Sequence, residues 1–204
     1  MYKLDTEAAR GAESTGGRIA EKGKYKGKFT RAQHIVAESG TQGIEFDFVA
    51  TSGQRARFSI YTLKADGKQI YGYKQLMAIM TCLSLRELAD PKTVPAKVYD
   101  YDAGKEVDTH VPQFPELLGK PIGLLFSMEE YKPGKWRPNM AGAFNADTEL
   151  VASEILERRG TPAKLAQMVL ALRDRPYTGG ESAPARAASS GQSGFADVDD
   201  DIPF

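Results

Sequence analysis

The sequence predicts a mainly β fold with peripheral helices and a disordered C-terminal tail. Three observations predict it. Alternating apolar and polar residues recur in short runs separated by Gly, Pro and Asp-Gly turns, one helical pattern interrupts these runs, and Gly, Ser, Ala and Pro dominate after residue 176. The 204 residues suffice for one domain of about 150 residues with a tail, or at most two small domains. With 41% hydrophobic and 26% charged residues the chain can build a packed core.

Residues 1–22 are small and polar and read as a flexible N-terminal arm. From Gly23 a strand begins, with Tyr25, Phe29, Arg31, Gln33 and Ile35 on one face and Lys24, Lys26, Lys28, Thr30 and His34 on the other. After the turn Gly40–Gly43, Ile44, Phe46, Phe48 and Ala50 alternate with Glu45, Asp47 and Val49, the pattern of a half-buried strand. Ser52-Gly53 turns the chain into Arg55–Leu63, where Ala56, Phe58 and Ile60 point inward and Arg55, Arg57, Ser59 and Tyr61 outward. Asp66-Gly67 is a hairpin signal. Leu76, Ile79, Met80 and Leu83 fall at helical spacing, and Pro91 ends that pattern. A strand over Ala96–Asp102 follows, then a long loop over 103–120 containing Pro112 and Pro115. Ile122, Leu124, Phe126 and Met128 form a core strand, which Pro133-Gly134 turns into a return strand over Lys135–Asn145. Two helices close the ordered part: one over about Asp147–Arg159, stopped by Gly160, and one capped by Thr161-Pro162 and carrying Leu165, Met168, Val169 and Leu172. Short strands with one interior helix suit a small Greek-key barrel of the OB type over 23–175, with an α+β sandwich as the alternative.

The net charge of zero hides an asymmetry. Residues 181–204 carry a net −4, so the other 180 residues carry +4. No apolar run reaches the roughly 18 residues of a membrane helix, so no membrane role is expected. Met1–Arg10 lacks the apolar stretch of a secretory signal. The single cysteine, Cys82, leaves no internal disulfide, and a cytoplasmic setting is expected.

The tail ends in Asp197-Val198-Asp199-Asp200-Asp201-Ile202-Pro203-Phe204. Acidic residues beside an aromatic suit capture by a basic pocket, and a tethered tail raises the local concentration of whatever it holds. This tip, Asp199, Asp200, Asp201, Ile202, Pro203 and Phe204 after a Gly/Pro/Ser/Gln-containing linker, resembles that of bacterial single-stranded DNA-binding proteins. The resemblance implies an OB-fold body and a tip that recruits replication, repair or recombination proteins. The body departs from that family, with extra residues before the first strand and two helices after the last. The stretches Lys26–Arg31, Gly43–Phe48 and Tyr71–Cys82 instead resemble a phage-encoded single-stranded DNA-binding protein, which would act in the host cytoplasm and could form homo-oligomers.

Single strands are held by basic grooves with aromatic platforms. The candidate DNA-binding residues are Lys24, Tyr25, Lys26, Lys28, Phe29 and Arg31 on the first strand, and Arg55, Arg57 and Tyr61 on the third. Tyr71, Tyr73 and Lys74 at the helix entry, and Lys132, Lys135, Trp136 and Arg137 around the Pro133-Gly134 turn beside Tyr131, complete the set. Phe29 and Trp136 fit the core as well as a binding face, and Lys24, Lys26 and Lys28 fit a solvated edge that blocks strand pairing. The tail's negative charge is also expected to visit the basic groove when nucleic acid is absent.

Other chemistry is poorly supported. Lys64-Ala65-Asp66-Gly67 matches the Lys-x-Asp-Gly pattern of nucleotidyltransferases, but Gln69 stands where those enzymes place arginine, and a plain Asp-Gly hairpin explains it. His34 and His110 lie on unrelated segments, and Glu45 and Asp47 share one strand without forming a ready metal pair. No cofactor, metal or catalytic residue is expected. The sequence therefore reads as a non-enzymatic coat for single-stranded DNA, with strand annealing as the alternative and a tail-bearing adaptor as a weaker one.

Overall fold

The computed structural model describes residues 17–100 and 105–178. Among the described residues eight strands form one sheet: β1 (Gly17–Arg18), β2 (Gly23–Val36), β3 (Gln42–Ala50), β4 (Gln54–Leu63), β5 (Lys92–Asp100), β6 (Lys105–Gln113), β7 (Pro121–Lys132) and β8 (Lys135–Phe144). The helices are α1 (Tyr71–Cys82), α2 (Ala152–Leu156) and α3 (Lys164–Ala171), with a 3-10 turn over Pro115–Leu117. The fold is mainly β with peripheral helices.

The long strand β2 organises the sheet. It pairs with β3 from Gly27 to Val36, with β7 from Gly23 to Lys28, and with β6 at Gln33↔Gln113. β4 lies beyond β3, and β8 beyond β7. The sheet stays open, with no ladder between β4 and β8 among the described residues. The seam is filled by α1. Gly72 sits so close to β4 that a Cβ there would lie 2.1 Å from the Tyr61 carbonyl oxygen, and Gln75 Nε2 donates to the Met140 carbonyl on β8 at 2.8 Å. The helix thus approaches one strand edge closely and satisfies a backbone group on the other, which limits stray pairing there.

The inward residues of β3, β4 and β7 meet as predicted, and Phe29 of β2 joins them rather than a binding face. Phe29, Phe46, Phe48 and Phe126 are fully buried, and Phe58 nearly so, stacked 5.3 Å from Phe46. Such ring pairs each add about 0.5–1.5 kcal/mol beyond burial. A second, smaller core joins Leu125 and Phe144 on the other face of the β7–β8 hairpin to Val151, Leu165 and Leu172.

Several expectations need correction. Residues 17–22 are not all arm: β1 pairs in parallel with β4 at Gly17↔Gln54 and Arg18↔Arg55, and Ile19 is fully buried. Residues 1–16 lie outside the described residues. The loop expected over 103–120 instead contains strand β6, paired to β5 along its length. Pro112 is tolerated because β6 meets β2 at a single register position, leaving most of that edge without a partner among the described residues to require an N–H. The helix expected over 147–159 shrinks to Ala152–Leu156, because Glu149 and Arg158 adopt left-handed backbone, φ 60° and 55°. Thr161-Pro162 does not cap α3. The buried Glu154 carboxylate does so, accepting from the N–H groups of Ala163 at 2.7 Å and Lys164 at 2.9 Å. Those bonds, with one from the Val151 N–H, hold Glu154 below the usual carboxylate range. The chain also stays attached past residue 175, since the Tyr177 N–H donates to Glu130 at 2.8 Å.

Candidate nucleic-acid interface

The outer face of β2, β3 and β4 is set by one irregularity. The β2–β3 register shifts at Thr30, so Phe29 opposes Phe48 while Arg31 opposes Asp47 and Ala32 opposes Phe46. Such a bulge inverts the alternation of every residue after it. Phe29 and Ala32 both enter the core, and Arg31, expected on the face of Phe29, turns to the outer face with Lys24, Lys26 and Lys28.

Cross-strand pairing then arranges the outer face in rows. One row runs Lys28, Val49, Arg55, Arg18 across β2, β3, β4 and β1. Its three cations make no ion pair among the described residues. The next row is Arg31, Asp47, Arg57 and is internally paired, with Glu45 of the following row balancing the second arginine. Arg31 Nε donates to Asp47 Oδ2 at 2.8 Å and Arg57 Nε to Asp47 Oδ1 at 2.6 Å, while Arg31 also bonds Glu45 and Gln33. Burial alone would raise the Asp47 pKa, but the hydrogen bonds from Arg57 and Arg31 outweigh it and hold the carboxyl below its ordinary value. Burial alone would lower the Arg31 pKa, and its bonds to Asp47 and Glu45 hold it above the ordinary value instead. Further along lie Gln33, Glu45 and Ser59, then Ile35, Gly43 and Tyr61. The Tyr61 ring lies against Gly43 and is 42% exposed.

This face lines a groove of about 1410 Å³, whose other walls are Val94–Ala96 of β5 and Glu129, Arg137, Pro138 and Asn139 of the β7–β8 hairpin. Its lining carries five arginines (18, 31, 55, 57 and 137) against Glu45, Asp47 and Glu129. The volume exceeds the about 300–1,000 Å³ of ordinary small-molecule pockets and suits a polymer better than a metabolite.

The sixteen candidate residues therefore separate. Arg55, Arg57, Tyr61 and Arg137 line the groove, and Lys28 shares a row with Arg55. Arg31 lines it too, but with its side chain 3% exposed it serves as a strut rather than a contact. Phe29 is core, and Tyr25 packs on Phe126 and donates its hydroxyl to the Glu21 carbonyl at 2.8 Å, so neither is a stacking platform. Tyr71 and Lys74 are exposed on a separate cleft of about 250 Å³ bordered by β8 and α3, and Tyr73 is half-buried near them. Lys132, Lys135 and Trp136 are exposed at the β7–β8 tip. Trp136 opposes Glu130, one residue out of phase with Arg137 opposite Glu129, so it alternates away from the groove side. The aromatic on Arg137's side is Tyr131, its ring 5.7 Å from the guanidinium. Lys24 and Lys26 both bind Glu149. The tip residues Asp199–Phe204 lie outside the described residues.

Arg18 escaped the sequence reading because a two-residue strand leaves no alternation to detect. Cys82 is buried, which pushes its thiol up to about 12 and makes it a packing residue. No protein-family model matches the chain, and no curated protein matches its sequence.

Proposed function

We propose that the chain binds single-stranded DNA without sequence preference, coats and protects it, and recruits partner proteins through its acidic tip. The observation that carries this reading is the row Lys28, Arg55, Arg18: three cations with no ion pair among the described residues, laid across adjacent strands beside an open groove. Strands stand about 4.8 Å apart, so a backbone crossing them meets a cation every one or two strands. Such contacts depend on charge rather than on base identity. Tyr61 and Tyr131 supply exposed rings for stacking. We read β2, β3, β4, β7 and β8, with α1 in the seam, as an open form of the OB barrel extended by the β5–β6 hairpin.

Binding of labelled oligo-dT and of a matched duplex, at low and moderate salt, tests the reading. Single-strand preference is expected, with log affinity falling by about 0.7 per neutralised phosphate against log salt. Arg55→Ala should weaken binding and flatten that slope by about the same 0.7, one contact's share, without lowering the melting temperature. Equal or absent binding of the two ligands overturns it.

A further inference from the structure

Beyond the cation row, β2 carries a second group of charges that is differently treated. Lys24 and Lys26 continue the outer-face alternation away from Lys28, and one carboxylate lies between them. Lys24 Nζ is 3.0 Å from both oxygens of Glu149, and Lys26 Nζ is 3.0 Å from Oε1. Lys22, one step further back, stands 3.6 Å from Asp174. The basic stripe is thus masked by carboxylates from the segment after β8, up to the point where Lys28 begins the unmasked row.

Glu149 is held there by a built loop. Asn145 Oδ1 accepts from the N–H groups of Asp147 at 3.1 Å and Thr148 at 3.0 Å, and its amide donates to the Cys82 carbonyl at 3.1 Å. The Glu149 N–H donates to the Asn145 carbonyl at 2.9 Å, and the residue takes the left-handed backbone that L side chains rarely adopt, φ 60°. The ion pairs this creates are solvated, with Lys24 and Lys26 46% and 41% exposed and Glu149 31%. Solvated pairs add little to stability, so they do not explain a strained residue placed to make them.

We propose that Lys24 and Lys26 form a phosphate subsite for a bound single strand, and that Glu149 occupies it as an internal stand-in until a backbone phosphate displaces it. Two anionic oxygens shared between two ammonium groups reproduce what a phosphodiester would offer. The subsite lengthens the path from Arg18, Arg55 and Lys28 along β2, and Glu149 lowers the affinity of that extension. The inference rests on the single-strand reading above.

The test is a double-mutant cycle on the full chain, read by anisotropy of labelled oligo-dT across a salt series. Glu149→Gln should tighten binding about tenfold at low salt, because the phosphate no longer has to displace a carboxylate from the two lysines. Glu157→Gln, at an exposed glutamate paired with Arg159, reports the general effect of removing one negative charge and should change affinity much less. In a Lys24→Ala/Lys26→Ala background the Glu149→Gln effect should vanish. If Glu149→Gln matches Glu157→Gln, or keeps its effect without the two lysines, the subsite is overturned while the single-strand reading stands. If the unmodified chain binds no oligo-dT, both fall together.

Discussion

The two halves of β2 use positive charge in opposite ways. Before the bulge at Thr30, Lys24, Lys26 and Lys28 stand on long stems in solvent, and the carboxylate that pairs with two of them is itself exposed to water. After it, Arg31 is enclosed by Asp47, Glu45 and Gln33, and Asp47 is shared with Arg57. Lysine keeps a hydrated, mobile charge that can change partners, whereas the guanidinium fork locks several acceptors in a plane. The difference teaches that a cluster of cations on one strand need not be one site. The arginine half is enclosed in a network across β2, β3 and β4, and the lysine half keeps solvated partners.

The largest effect expected from this contrast is on stability. Arg31→Ala removes the buried partner of Glu45 and leaves Asp47 with Arg57 alone, and it should destabilise the fold by about 2–3 kcal/mol, measured by urea unfolding. Lys26→Ala, on the same face of the same strand, should change stability by no more than about 0.5 kcal/mol. Similar losses for the two would erase the distinction between the halves.

That distinction was only half legible in the sequence. Alternation in Ile44–Ala50 and Arg55–Tyr61 gives the right inner and outer faces, because both strands are regular across that span and one face of each is buried. The bulge is invisible in the sequence: Thr30 has ordinary β-propensity, and nothing local marks it as the extra residue, so simple alternation places Arg31 on the wrong face. A strand over β5 is legible, but its partner β6 is hidden by Pro112, which argues against a central strand and is permitted here by an edge sparsely paired among the described residues. The Glu149 loop is not legible because Asn145 binds the Asp147 and Thr148 N–H groups as a helix N-cap would, and only the left-handed Glu149 that follows keeps a helix from starting there.

The acid limb of the stability curve sharpens the comparison next. Asp47's folded pKa lies below its ordinary value, near 3.8. Its stabilising contribution is therefore complete above the unfolded pKa and is lost as pH falls through the depressed folded value, below about pH 4. Asp47→Asn should be less stable than the parent at neutral pH, and the gap between their urea midpoints should narrow as pH falls through that window. Glu130, Glu149 and Glu154 are also held low and account for acid sensitivity that remains in the variant. A gap that stays constant from pH 6 to below pH 3 would show that the Asp47 charge is not what joins Arg31 to Arg57.

The smallest expected effect is the most specific to the lysine half. Glu149→Gln removes a charge whose partners are solvated, so its melting temperature should stay close to that of the parent, even as its affinity for oligo-dT changes. Relief of the left-handed backbone separates the two contributions of this residue. Glu149→Gly accepts φ 60° without a side-chain penalty and also removes the carboxylate. It should therefore bind like Glu149→Gln while melting at an equal or slightly higher temperature, as differential scanning fluorimetry would show. A clear fall in melting temperature for both variants would mean that the carboxylate's ion pairs hold the loop to β2, and that Lys24 and Lys26 belong to the framework as Arg31 does.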